Sequence, residues 1–354
     1  MQIQEKTGEK VFYLTVLNVL SAWCVVMLHC NGIFWTRPEG RLWVTSNFIE
    51  TACYFAVPIF FMISGITLLD YPKKYSTREY FIKRIRKAVI PFFVWSIIAF
   101  LDSVRSTIHD GGVPDLDIRH VIDNILNCRY ILGVYWFFPA LFAIYLSIPI
   151  LAQIKNKEKI LSYAVIIGIV FVSILPLVGN LIGIGYNAGY TPNIVNGYIL
   201  YVMLGYLIAK RQFTKGQQIC SYLLGIFGWG MQFFGTLLLS EAGSIDQTFK
   251  GSLNLPVLLQ ACAVFVFVKY HVSKNRLVVN FVNWLGKRTF GIYLIHGYLV
   301  SYLPMYLKID TGSIVWRTAG ACCVFLISAG IVWLLQKIPI IKKLFHKEEI
   351  ENEV

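Results

Sequence analysis

The chain has 354 residues, 56% of them hydrophobic and 14% charged, with a mean hydropathy of +0.61. A soluble protein of this length needs more charge than that to cover its surface, so the composition excludes an ordinary soluble enzyme and points to the bilayer as solvent. The net charge of +13 would point to nucleic acid in a soluble chain, but here it reads as the Lys and Arg excess of cytoplasmic loops, and no nucleic-acid partner is expected.

A helix needs about 20 mostly apolar residues to cross the hydrocarbon core. By that measure the sequence predicts about ten spans, at 11–33, 47–69, 88–107, 133–153, 160–181, 193–209, 217–240, 252–269, 289–307 and 313–336. The fourth, sixth and eighth are short or interrupted, so nine or eleven are also readable. The expected fold is all-α, a polytopic transmembrane helix bundle forming a single integral membrane domain over 1–354. The first run is too long for the apolar part of a signal peptide and has no small-residue cleavage site behind it, so it reads as a retained helix. The eight cysteines contain no CxxC pair and fall mostly inside apolar runs, which favours buried thiols over a disulfide framework; no metal site is expected.

Orientation follows from the basic residues. With the N-terminus inside, the inner segments are 1–10, 70–87, 154–159, 210–216, 269–288 and 337–354, and they hold 24 of the 32 Lys and Arg residues. That asymmetry places both termini in the cytoplasm. Of the outer connections, 108–132 is polar enough for a surface loop with one amphipathic helix. The uncharged loop 181–192, rich in Gly, Asn and Tyr, offers either sugar contacts or an ordinary turn.

Ionisable residues inside spans are costly and mark functional sites. His29 lies in the outer half of the first span, where a neutral imidazole can take a proton from an acceptor hydroxyl and later return it. A packed histidine bonded to a neighbouring helix would have the same sequence. His296 lies near mid-membrane on one helical face with Tyr293 and Thr289, a polar stripe that lines a substrate path or joins helices. Glu50 and Asp102, near outer span ends, are candidates to orient His29. The densest basic cluster, 73–87, brings Lys83, Arg84, Arg86 and Lys87 to the start of the third span. Such a cluster binds phosphates, or signals topology and attracts anionic lipid headgroups.

Five segments in order resemble the acyltransferase-3 family of integral membrane O-acyltransferases, especially its surface-polysaccharide branch. They are NVLSAWCVVMLH, AVPIFFMISGITLL, YFIKRIRKAVIPFFVW, YWFFPALFAIYLSIP and GKRTFGIYLIHGYLV. The resemblance implies a bacterial, multi-pass plasma-membrane enzyme. Its activity would be transfer of an acyl group, usually acetyl, from cytoplasmic acyl-CoA to a hydroxyl of an extracytoplasmic glycan, peptidoglycan or glycolipid. It makes His29 the catalytic histidine and sets Arg84 and Lys87 against the CoA phosphates. Ser64, Trp136, Tyr293 and His296 fall on motif positions of less defined role. Acyl-CoA is then a co-substrate, and no permanently bound cofactor is expected. The chain departs from the family at Asn18, where relatives carry an arginine, and at Lys87, a milder change. The rival reading is a transporter or flippase of a lipid-linked sugar, although no inverted repeat is evident.

Overall fold

The structure, a computed structural model, describes residues 2–338, with side chains from Phe12 onward except Leu132. The C-terminal segment expected inside, 337–354, therefore falls almost wholly outside the described residues, as do the side chains of 1–10. Among the described residues every regular element is helical, and the one β-bridge pairs Glu241 with Ser244. The α-helices are α1 (Gln2–Cys30), α2 (Gly40–Cys53), α3 (Ala56–Leu68), α4 (Thr77–Arg84), α5 (Ile90–His109), α6 (Ile118–Leu126), α7 (Phe137–Ile154) and α8 (Glu158–Gly168). They continue as α9 (Leu175–Leu181), α10 (Ile199–Lys210), α11 (Lys215–Leu239), α12 (Leu255–Tyr270), α13 (Arg276–Gly286), α14 (Thr289–Leu307) and α15 (Ala321–Leu335).

Prolines and caps set the boundaries. Pro58 has no N–H for the carbonyl four residues back, and a two-residue turn there divides α2 from α3. Ser76 and Glu79 form a reciprocal capping box that starts α4. The basic stretch expected ahead of the third span is thus its first two turns, and Thr77–His109 runs on as one helical stretch. A π-helical turn, Ile85–Val89, joins α4 to α5 just before Pro91. Pro91 cannot bond the Lys87 carbonyl and its ring would crowd it, so the turn widens there. A second π turn, Ile169–Ile174, precedes Pro176 in the same way.

Each of the ten expected apolar runs contains a helix. Among the described residues, seven helical stretches are long and apolar enough to cross a membrane. Ile199–Lys210 and Leu255–Tyr270 are apolar but shorter, and α14, with four tyrosines and His296, is not among the seven. The described helices thus support a multi-pass membrane protein but not the full count of ten. The amphipathic helix expected between the third and fourth spans is α6. A second amphipathic helix, α13, lies in the segment 269–288 that the charge pattern assigns to the inside, with Leu277, Val278 and Phe281 exposed.

The bundle is built around α1. Its apolar window is 72% buried, against 28% for α11, whose exposed Leu223, Ile226, Phe227 and Leu238 make a lipid-type face. α1 packs on α2, α3, α12, α13, α14 and α15. Alongside it α3 and α10 cross closely, with Gly65 against the Val202 backbone and Gly205 against Met62. Small residues at such crossings let helix backbones approach where no hydrophobic force drives them together. Gly65→Val and Gly205→Val are each expected to force the pair apart and lower the melting temperature of the detergent-purified protein, at a cost of about 1–3 kcal/mol or more. Gly230→Val, at a position facing open space, should leave it nearly unchanged.

Candidate active site

A cavity of about 510 Å³ lies between α1, α3, the α4–α5 stretch, α7 and α14. Its lining on α3 runs from Val57 to Leu68, roughly 16 Å of helix. The cavity therefore extends along the bundle axis, with chemically different ends.

One end is cationic. Arg84 and Lys87 are three residues apart, one helical turn, and both line the cavity. Arg84 is buried, its guanidinium 5.7 Å from the centroids of both Tyr80 and Tyr145, and the Tyr80 hydroxyl donates to the Tyr145 carbonyl at 3.1 Å. This aromatic frame holds the planar cation in one orientation. Lys83 and Arg86 point away: both are exposed, and the Lys83 ammonium sits 3.7 Å over the Tyr75 ring. Helix geometry thus divides the four basic residues singled out in sequence, two to the cavity and two to the surface. Nearby, buried Lys155 ties α7 to α3 through Asp70 at 2.7 Å and the Leu69 carbonyl at 2.9 Å.

Further along lie the hydroxyl- and imidazole-bearing residues. His29, in the last turn of α1, is partly exposed and lines the cavity with Ser64, Thr67, Thr289 and Tyr293. The Ser64 hydroxyl donates to Phe60 of its own helix at 2.9 Å. Asn18 also lines the cavity and donates to the Thr289 hydroxyl at 2.8 Å, fastening α1 to the start of α14. Tyr293 bonds the Val134 carbonyl, and Tyr135 donates to Leu294 at 2.8 Å, so α14 is also pinned to the segment before α7. His296 is fully buried and does not line the cavity, although its ring centroid is 5.1 Å from that of His29.

The other end is aromatic and acidic, with Trp35, Glu50, Tyr54 and Trp136 in the lining. Both tryptophans are about half exposed. The loop 181–192 supplies nothing to this lining.

A family model for the acyltransferase domain, acyltransferase-3, matches residues 11–333. The chain belongs to the acyltransferase-3 family. Comparison with curated proteins and with solved structures gives no match. The protein is accordingly a membrane acyltransferase, and the transporter alternative gains no support from the family or from the site.

Of the residues picked from this acyltransferase's sequence, the cavity brings together Asn18, His29, Glu50, Ser64, Arg84, Lys87, Trp136 and Tyr293. Asp102 stands apart, accepting from Tyr302 at 2.6 Å and from Arg105 at 3.2 Å. Neither of these two candidates to orient His29 is hydrogen-bonded to it. Asp102 is held by Arg105 on the next turn, and Glu50 is held by other partners. Asn31 donates to Glu50 at 3.3 Å and to the Ser46 carbonyl at 2.9 Å, while Arg317 reaches Asn31 and Thr45.

Lys250 is the residue that sequence reasoning missed. Its ammonium lies 3.3 Å from the Glu50 carboxylate, with the Tyr54 ring at 3.8 Å and the Phe34 ring at 4.5 Å, and both charged side chains are almost completely buried. Burial pulls the Lys250 ammonium below its ordinary pKa and the Glu50 carboxylate pulls it back up. No local pattern links two residues 200 positions apart, so only the fold reveals the pair. The arrangement straps the loop between α11 and α12 onto α2 at the aromatic end of the cavity. Glu50→Gln leaves the Lys250 charge buried without its counter-ion, and is expected to cost about 3–5 kcal/mol in thermal unfolding in detergent. The double change Glu50→Gln with Lys250→Met should recover most of that loss.

Proposed function

We propose that this membrane acyltransferase moves an acyl group, acetyl in the first instance, from acyl-CoA on the cytoplasmic side to a hydroxyl of an extracytoplasmic glycan or glycolipid. The observation that carries the proposal is that one elongated cavity is lined both by Arg84 and Lys87 and by His29. A coenzyme held by its phosphates at the cationic end extends its pantetheine arm along the cavity. Its thioester then meets an acceptor that comes from the aromatic end. The excess of basic residues in the segments around Arg84 supports a cytoplasmic donor side. Trp35 and Trp136 offer ring faces for a sugar to stack on.

The chemistry asked of His29 is general-base catalysis. As the acceptor oxygen forms its bond to the thioester carbonyl carbon, His29 takes the hydroxyl proton. The carbon–sulfur bond then breaks, and His29 returns the proton to the departing sulfur. The products are the acylated glycan and free CoA, with no net change at the imidazole. A cavity of this size suits the arm and a sugar hydroxyl, and leaves the nucleotide outside at the basic residues. The whole chain would act as one integral membrane domain, in a bacterial plasma membrane.

The test is CoA release from acetyl-CoA by detergent-purified protein with a panel of oligosaccharides, glycolipids and peptidoglycan fragments. His29→Ala should fold normally and lose about 10²–10⁴-fold in turnover. An unchanged rate in that variant would remove the base from the mechanism. Arg84→Ala is expected to raise KM for acetyl-CoA by roughly 10–100-fold while kcat changes much less, because a charged hydrogen bond to phosphate is lost from binding. If no acyl-CoA is consumed with any acceptor, the donor assignment fails.

A further inference from the structure

His296 lies beside His29 without lining the cavity, and its hydrogen bonds define its tautomer. Its Nδ1 lies 2.8 Å from the Tyr293 carbonyl oxygen and 3.1 Å from that of Ile292. A carbonyl oxygen only accepts, so Nδ1 carries the proton and donates to both. In the neutral ring Nε2 then holds a lone pair on the side away from its own helix. That nitrogen is buried and has no hydrogen-bond partner among the described residues. A buried polar atom left in this state is costly and rare enough to need a reason.

The ring beside it is His29. The two centroids are 5.1 Å apart with the planes inclined at 52°. Two imidazoles joined by an N–H···N bond of about 3 Å have centroids about 5 Å apart, so the separation is already that of a bonded pair. The mutual orientation is not that of a bonded pair, so the bond requires a turn of the His29 side chain. The backbone around His296 is tightly determined. Asn18 bonds Thr289 at the start of α14, Tyr293 bonds Val134, and Tyr135 bonds Leu294.

We infer that His296 is a positioning residue for His29: its Nε2 lone pair accepts an N–H from the His29 ring and leaves the other His29 nitrogen as the base that faces the cavity. The inference rests on the reading of His29 as the base. When His29 takes the acceptor's proton, the imidazolium has an N–H on each side. His296 accepts the inner one, and the outer one is the proton that returns to the departing sulfur. No proton or electron is gained or lost by His296 over the cycle. A neutral acceptor thus serves here in the place for which Glu50 and Asp102 were the sequence's candidates, both of which are held elsewhere.

The experiment compares the full-length protein in detergent with His296→Phe, which fills the space without an acceptor, and His296→Gln, whose amide oxygen can accept. The readout is kcat and KM for acetyl-CoA, with melting temperature as a folding control. His296→Phe should lower kcat on the order of 10²-fold. Its KM should stay within about twofold of wild type, and His296→Phe added to His29→Ala should cost nothing further, because the two act as a unit. His296→Gln should regain much of the rate. Equal loss in both variants, a change in KM in place of kcat, or a melting temperature lowered alongside the rate would mean that His296 only packs. Wild-type turnover in His296→Phe, with His29→Ala inactive, would overturn this inference alone. If wild type itself fails to consume acetyl-CoA, the donor assignment and this inference fall together.

Discussion

The interior of α1 has no water to appeal to. It is enclosed by six other helices, where a polar side chain is costly unless it bonds a neighbour or opens onto the cavity. Asn18 meets that requirement through Thr289, and Asn31, just past the helix end, through Ser46 and Glu50. His29 meets it by lining the cavity beside His296. Two of these solutions recruit α14 and one recruits α2, so the needs of one buried segment fix the placement of both helices. The ties from α14 to Val134 and Tyr135 then position the segment before α7, and with it Trp136.

The cavity inherits an ordered polarity from this arrangement. A framed guanidinium and a lysine stand at one end, uncharged hydroxyls and an imidazole follow, and two tryptophans with a salt-bridged carboxylate close the other end. The charges at both ends are tied to aromatic rings. Arg84 is set between Tyr80 and Tyr145, and Lys250 lies over Tyr54 and Phe34. Rings of this kind stabilise a cation through their quadrupole and also keep its surroundings rigid, which matters where solvent cannot compensate for a misplaced charge.

Much of this was legible in the sequence, for identifiable reasons. Apolar runs of span length report helices directly, and the family's motifs marked residues that the cavity gathers. What escaped was set by geometry beyond the window of a local pattern. The basic run 73–87 read as one cluster because a count of charges carries no azimuth; the helix that the capping box at Ser76 starts, with Arg84 and Lys87 one turn apart, divides it. Once the run is helical, Lys83 and Arg86 must face outward. The Glu50–Lys250 pair and the departure of Asp102 toward Tyr302 depend on which helix ends meet, and hydropathy carries no information about that. The shortness of α10 and α12 is a similar case, because Tyr198 and Asn254 start each helix several residues later than the apolar composition does.

The π turn at Ile85–Val89 carries a consequence of a different kind. A π turn holds one residue more than an α turn, and one residue of α-helix corresponds to about 100° of rotation. The turn therefore sets the azimuth of Arg84 relative to everything beyond Pro91 by residue count, almost regardless of which side chains occupy it. Exchanging those residues one by one leaves the phase of the helix intact. Removing a single one would let regular winding resume and swing the guanidinium from the cavity toward the surface. In this stretch chain length is itself information, and an alignment gap there would mean more than most substitutions.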